Sequence, residues 1–399
     1  DVDFKIVNGF NGFVSQILPN SGGFLVAGSF TNFENQATGT TIINSIHFLN
    51  SLGQTATGMD FRRSATGGIT SIAKLASGKF MIGGNLTAFS KRDVGGIARL
   101  NANGSLDTTV VSVINPDSEK KPLDGFDTVS TFNGSLGGSI TNVFETADHG
   151  IIAVGTFSTH SKIDYNYSSR ENRRIIYTKV KNIAKLKADG SLDSSFNINN
   201  VGFNGFINNA IKLNDGRIVI VGAFSTYNGK SAKNIICIKP DGTIDESFAA
   251  GGTDKEILAI TYNPTTNKIV LAGGFRQAAG VATTGVVVLN SDGTVDQTFQ
   301  FGNVQEGIPS YAYSLNNGRV FVQGSFSKYN GIFHDGLLIL EPNGEAKQAY
   351  NNLGNLSGTV NTLVETTSSL GHPAILLGGF IFSVDGKSVG NIVKIELKN

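Results

Sequence analysis

One short pattern, an apolar run ending in Gly-x-Phe, returns seven times along the chain and restricts it to architectures built from repeats. The copies are LVAGSF to Phe30, MIGGNL to Leu86, IAVGTF to Phe157, VIVGAF to Phe224, VLAGGF to Phe275, FVQGSF to Phe326 and ILLGGF to Phe380. Leu86 stands where the other six carry Phe. The steps are 56, 71, 67, 51, 51 and 54 residues, so the basic unit is about 51. Self-similarity at such a period marks solenoids, propellers and arrays. At 399 residues the chain would otherwise suggest two or three domains. Repeats share one continuous core, so a single domain over 1–399 is expected.

A second pattern follows each copy: an apolar strand, a turn, then an Asp and an aromatic. Residues 183–196 read IAKLKADGSLDSSF, 235–248 IICIKPDGTIDESF and 286–299 VVVLNSDGTVDQTF. Residues 97–109 match less completely, 337–350 keep the turn but lose the Asp, and the first repeat near 46–54 is weaker still. Each unit reads as four strands. In 205–249, strand a runs over about 205–213, b over 217–224, c over 234–239 and d over 243–248. Asp215-Gly216 joins a to b and Asp241-Gly242 joins c to d, and Asp-Gly is a strong hairpin signal. Helical periodicity is absent. Four short strands per unit is the spacing of propeller blades, so an all-β, seven-bladed β-propeller with four antiparallel strands per blade is expected. The last repeat stops after strand c. Asp1-Val2-Asp3-Phe4 resemble the missing d strand, so the N-terminal strand is expected to close the last blade and remove an open sheet edge.

The Gly-x-Phe run followed by an apolar strand and D-G-[ST]-[LIV]-D-x-[ST]-F resembles the delta-60 repeat family of bacterial β-propellers. The likeness spans essentially the whole chain, strongest from 180 to 330. It implies a propeller fold and a secreted or surface location. Similar repeats in surface lipoproteins of Bacteroidetes imply glycan capture by association, and with it an extracytoplasmic place, at the cell surface or in the periplasm, lipid-anchored through a segment outside this chain.

Composition narrows the function classes. Charged residues make up 16% and the formal net charge is +1, whereas a nucleic-acid binder would show a basic excess. No apolar run reaches the roughly 18 residues of a membrane span. The one cysteine, Cys237, permits no internal disulfide and no multi-thiolate metal site, and its setting in IICI reads as a small buried hydrophobe. The five His residues are scattered, with no H-E-x-x-H spacing, and neither a G-x-S-x-G elbow nor a phosphate loop is present. The aspartate box of sialidase-like propellers, with its Trp, is missing. Asp107, Asp193, Asp245 and Asp296 of the second pattern offer oxygens of the kind calcium takes, but lack the alternating ligands and later Glu of a calcium loop. Bonding to nearby turn amides is the plainer role. No cofactor, metal or catalytic residue is assigned.

The departures from the repeat carry the functional expectation. Residues 112–138 lengthen the connection from strand d of blade two to strand a of blade three. Residues 158–179 lengthen the b–c connection of blade three. In an up-and-down blade both connections emerge on the same face, so the insertions should rise side by side. The second carries Tyr165, Tyr167, Arg170, Arg173, Arg174 and Tyr177. Tyr rings suit sugar faces and Arg forks suit carboxylates. A glycan or acidic-polymer site is one reading. A solvated β-ribbon whose Arg side chains pair with Asp117, Glu119, Asp124 and Asp127 is the other. Phe33, Phe89, Tyr227 and Tyr329 each follow the Gly-x-Phe position by three residues and are expected to pack under their own loops. The expected function is a non-catalytic extracellular binding module for polysaccharide or oligosaccharide. The alternatives are a lyase or glycoside hydrolase with a central-funnel site, and a protein-interaction scaffold of a surface complex.

Overall fold

Strand b of every repeat is a nearly unbroken apolar run, such as Ile218–Ala223, and a strand of that kind is stable only when both faces of its sheet are covered. The computed structural model describes residues 4, 6, 8–34, 44–59, 65–112, 125–168, 173–196, 201–351 and 355–397, and places strand b in the middle of an antiparallel a–b–c sheet in each repeat. Contacts divide the chain into two units. One comprises Asp1–Gly39, Phe48–Ala56 and Phe203–Asn399, the other Thr40–His47 and Thr57–Gly202. No α-helix occurs among the described residues.

In the first unit the strands a, b and c are Phe206–Lys212, Ile218–Ala223 and Ile235–Ile238, then Ile257–Asn263, Lys268–Gly273 and Val286–Asn290. Pro309–Ser314, Val320–Gly324 and Leu337–Leu340 follow, and then Leu356–Thr367, Pro373–Val384 and Ile392–Glu396. Phe13–Asn20 and Gly23–Ser29 of the first repeat belong to this unit as well. The second unit holds Ile69–Lys74, Phe80–Gly84 and Ile97–Leu100, and also Ser135–Glu145, Ile151–Ile163 and Ile183–Leu186. The expected fourth strand is reduced to a single bridge pair after strand c, as in Ile238↔Ile244 and Leu289↔Val295. The c–d turn is too tight, and the following D-x-[ST]-F segment too committed to its own turn, for a ladder to continue.

The repeat glycine has a steric cause. Opposite it, strand a carries one extra residue: Ser15, Thr70, Thr141, Asn208, Leu258, Ser310 or Asn361. The bulge drives the preceding strand-a carbonyl into strand b. A Cβ on Gly28, Gly84, Gly155 or Gly324 would lie 2.2 Å from a strand-a carbonyl oxygen. The distance is 2.1 Å at Gly222, 2.8 Å at Gly273 and 2.0 Å at Gly379. Only a residue without Cβ fits, which is the close backbone approach that a strand glycine signals. The register corrects one reading of the sequence. In the last repeat the bulge faces Gly379, so the aromatic position falls on Ile381 rather than Phe380. Ile381 is 1% exposed and accepts the Asn391 amide proton, as Phe224 accepts that of Asn234, while Phe380 is 48% exposed. The tandem Gly378-Gly379 hid this shift of one residue.

The Gly-x-Phe rings fill the core beside the loops: Phe30 packs on Phe10 with centroids 4.3 Å apart, and Phe224 on Phe203 at 4.7 Å. Phe33, Phe89, Tyr227 and Tyr329 are all buried under their own loops, as expected. The Tyr227 and Tyr329 hydroxyls donate to Gly242 O (3.0 Å) and Gly344 O (2.8 Å) in the c–d turn of the same repeat.

The bulged residue also joins neighbouring sheets. Asn208 Nδ2 donates to Ile257 O of the next repeat (2.9 Å), and Thr70 Oγ1 donates to Ile140 O. Asn361 Nδ2 of the last repeat donates to Val14 O of the first (3.0 Å). In repeat register these are one and the same bond, since each acceptor precedes the neighbour's own bulge. The first and last sheets are further tied by Phe10 N to Gly390 O and Asn391 Nδ2 to Phe10 O, both 2.8 Å. Asp1, Val2 and Asp3, expected to supply the closing strand, lie outside the described residues. Phe4 lies against the last sheet, its ring 5.4 Å from Lys394 Nζ.

The Asp of the second pattern is a clasp. Asp245 Oδ1 accepts from Ser247 N and Oγ, and Oδ2 pairs with Arg217 at 2.7 Å. Arg217 continues to Ser291 O in the next repeat. Asp296 does the same with Thr298 and Lys268, and Asp107 takes Lys79 and Arg99. In the sixth repeat Lys347 holds the Asp position and the acid moves to Glu341, which pairs with Lys347 at 3.3 Å and with Arg319, the equivalent of Arg217, at 3.7 Å. The oxygens that calcium would need are thus taken up by turn amides and cations.

Three outcomes follow. Gly222→Ala should destabilise the chain by about 2–3 kcal/mol in urea unfolding, because the strand-a carbonyl has no room to retreat. Asn361→Ala and Asn208→Ala should each cost about 1 kcal/mol, and a markedly smaller cost for Asn361→Ala would show that the last-to-first bond is not equivalent to the others. Hydrogen bonds from Ser247, and next the Arg217 partner, hold the Asp245 carboxyl below its ordinary value, against the effect of burial. Its stabilisation is therefore present above about pH 4 and lost as pH falls through the lowered folded value. Asp245→Asn should be less stable than the parent at pH 7, and the gap should narrow as pH falls below about 4, followed by denaturant titration at pH 7 and pH 3.

Candidate functional site

Both insertions lie in the second unit. In the first, Phe126–Ser130 pairs antiparallel with Thr108–Ser112, from Thr108↔Ser130 to Ser112↔Phe126. The d position of this repeat is thereby stretched into a hairpin. Residues 113–124, with Asp117, Glu119 and Asp124, lie outside the described residues. In the second insertion, strand b runs on past Phe157 to Ile163 and pairs with Ile175–Lys179, from Thr159↔Lys179 to Ile163↔Ile175. The insertion is a β-ribbon, as one of the two readings had it. Its tip is pinned by Ser168, buried, whose hydroxyl donates to Asp164 O (2.6 Å) and accepts from Arg174 N (2.9 Å). Tyr165–Tyr167 form a single 3-10 turn there.

Tip and hairpin meet at a cavity of about 230 Å³. Tyr165, Ser168 and Arg173 come from the ribbon, and Asp127, Thr128, Val129 and Ser130 from the hairpin. The two insertions therefore rise side by side, as the strand order required. Tyr165 is half-buried, and burial pushes its hydroxyl up to about 12, with Arg173 opposing and Asp127 and Asp93 adding to the rise. It stays a hydrogen-bond donor at neutral pH.

The six expected residues separate. Tyr165 and Arg173 line the cavity. Arg173 is not a free fork, for it pairs with Asp93 at 2.6 Å. Arg174 lies over the Tyr167 ring at 4.8 Å and pairs with Asp164 at 3.7 Å, leaving Tyr167 55% exposed beside the cavity. Tyr177 sits on the edge strand of the ribbon, 68% exposed and away from the lining. Arg170 lies outside the described residues. Arg173 and Arg174 thus pair with Asp93 and Asp164, whereas three of the four expected acids, Asp117, Glu119 and Asp124, lie outside the described residues.

The sequence reading missed the third wall. Lys91, Arg92 and Asp93 reach the cavity from a short hairpin, Ala88–Phe89 with Arg92–Asp93. Arg92 Nη1 donates to Thr128 O and so fixes this hairpin to the first insertion. Its turn, Ser90 (φ 50) and Lys91 (φ 64), is left-handed at both central positions. The equivalent turns are Asn228-Gly229, Ala279-Gly280, Asn330-Gly331 and Asp385-Gly386, each with glycine second. The left-handed region costs a residue with Cβ about 1–2 kcal/mol and glycine nothing. A lysine where four other repeats have glycine was the available signal.

Buried polar atoms mark the same region. Ser130 Oγ and His160 Nε2 have no hydrogen-bond partner among the described residues. Burial, and then Lys162, lower the His160 pKa, so the ring is neutral. Among the described residues no three His, Cys, Asp or Glu side chains converge, and no helix is long and apolar enough to cross a membrane. Cys237 is buried and its thiol is pushed up to about 12, first by burial.

A family model described as "Domain of unknown function (DUF5122) beta-propeller" matches residues 75–109, 179–196, 213–248 and 266–299. None of the curated proteins compared matches the chain. Among solved structures, the WD40 β-propeller domain of Doa1 is similar at 13% identity, over 99% of this chain and 96% of that one, with a TM-score of 0.50. The computationally designed Ika8 protein is similar at 10% identity over 98% of each chain, TM-score 0.48. A gluconolactonase from Xanthomonas campestris is similar at 11% identity over 70% of this chain and 77% of that one, TM-score 0.32. The last two scores carry no argument about this chain. The matched repeats, the a–b–c sheets and the likeness to a WD40 domain make this an all-β chain of β-propeller repeats.

Proposed function

We propose that the chain is a seven-bladed propeller, closed through its first and last repeats, and that it serves as a non-catalytic carbohydrate-recognition module outside the cytoplasm. The repeat-equivalent bond from Asn361 to Val14 supports the closure. One observation carries the function: Tyr165 stands half-buried in a cavity walled by both insertions, with Ser130 and Asn133 lining it beside the ring. An aromatic platform ringed by hydrogen-bonding groups suits a sugar, which offers an apolar face and hydroxyl edges. Binding rather than cleavage is favoured because Asp93 is engaged by Arg173, whereas glycoside hydrolysis needs two carboxylates free to flank a bond.

A second reading has its own support. Ile175–Lys179 is exposed along its length and forms the edge of its sheet, and Val110 and Phe126 are exposed on the neighbouring hairpin. An apolar open edge suits a protein partner that adds a strand.

Affinity electrophoresis through gels holding neutral and acidic polysaccharides, with reducing-end release followed in parallel, tests both. Retardation without cleavage is expected. Tyr165→Ala combined with Tyr167→Ala should weaken it at least about tenfold and leave the melting temperature in place. Cleavage would make the chain an enzyme, and no retardation by any polysaccharide would leave the protein-partner reading.

A further inference from the structure

The residues expected to recognise charge, Arg173 and Arg174, are already paired within the chain, with Asp93 at 2.6 Å and Asp164 at 3.7 Å. Two other cations at the cavity are not. Lys91 has no ion-pair partner among the described residues. Arg92 is held by a neutral main-chain carbonyl, that of Thr128. With Asp93 matched to Arg173, the cavity sets Lys91 and Arg92 against Asp127 alone, so its lining is net cationic. Ser130 adds a hydroxyl, 1% exposed, whose Oγ has no acceptor or donor among the described residues. A buried hydroxyl without a partner is costly, and an anion at this wall would satisfy it. The turn points the same way: Lys91 keeps a left-handed backbone that glycine takes in four other repeats, and this places its side chain at the cavity.

Resting on the carbohydrate reading above, we propose that the cavity takes the anionic group of an acidic glycan, a uronate carboxylate or a sulfate ester, and that Lys91 and Arg92 carry its recognition. Tyr165 supplies the ring platform and a donor hydroxyl. Binding through exposed cations should weaken as salt rises.

The test uses the full chain and paired probes that differ only in charge: polygalacturonate against its fully methyl-esterified form, and dextran sulfate against dextran. Retardation by a charged member of either pair and not by its neutral partner is expected, and the pair that responds identifies carboxylate or sulfate. Lys91→Gly should reduce that affinity about tenfold and leave the melting temperature equal or higher, because glycine relieves the turn. Arg92→Gln should also reduce it. Equal retardation by charged and neutral members would overturn the anion assignment and leave the carbohydrate reading intact. Retardation by none would remove both. Charge-selective retardation that survives Lys91→Gly and Arg92→Gln would overturn the assignment to these two residues.

Discussion

In each repeat a strand-a carbonyl sits where the Cβ of a strand-b residue would be, and the seven glycines exist to make that room. The contact is forced by a bulge of one extra residue, which bends strand a and increases its local twist. Everything downstream in the repeat takes its register from this point. Two residues beyond the glycine comes the buried ring, or Ile381 in the last repeat. From that residue the main chain bonds to the left-handed residue that leads into strand c, as at Asn182, Asn234 and Asn391.

The same bulge explains how sheets associate. An extra residue has no place in the ladder of its own sheet, so its side chain is available to the neighbour. Where that residue is Asn208, Thr70 or Asn361, it reaches the main-chain carbonyl before the next bulge. Apolar packing between sheets is non-directional, whereas these bonds and the Asp–Arg clasps fix how one repeat is set on the next. Where Lys347 replaces the Asp, Glu341 takes over as the acid for Arg319, so the cation of the a–b turn keeps a partner.

The candidate site arises where this regularity is broken. Two insertions and one altered hairpin, none of which the repeat requires, converge on a single cavity. The paired Arg173 and Arg174 stiffen the ribbon and its tip rather than awaiting a ligand. What remains for a ligand is a tyrosine, a serine hydroxyl in the wall and two cations on a turn with an unfavourable backbone.

The seven-fold pattern, the a, b and c strands, the burial of Tyr227 and Tyr329 and the adjacency of the two insertions were all legible in the sequence. Each follows from local periodicity, turn chemistry and strand order, which a linear chain carries within one repeat. The register at Gly378-Gly379 was not, because two glycines in tandem are locally equivalent and only the carbonyl of Thr359 distinguishes them. Nor could the sequence show which acid each arginine meets, or that Lys91 and Arg92 belong to the same cavity as Tyr165. Arg173 reaches Asp93, and Tyr165 shares a cavity with Lys91 and Arg92, across some seventy to eighty positions of chain, so such partners are chosen by distance in space. The sequence by itself determined the repeat and where it is interrupted; the tertiary structure alone decided which charges neutralise one another and which are left facing the cavity, because electrostatic pairing depends on separation and burial rather than on order along the chain.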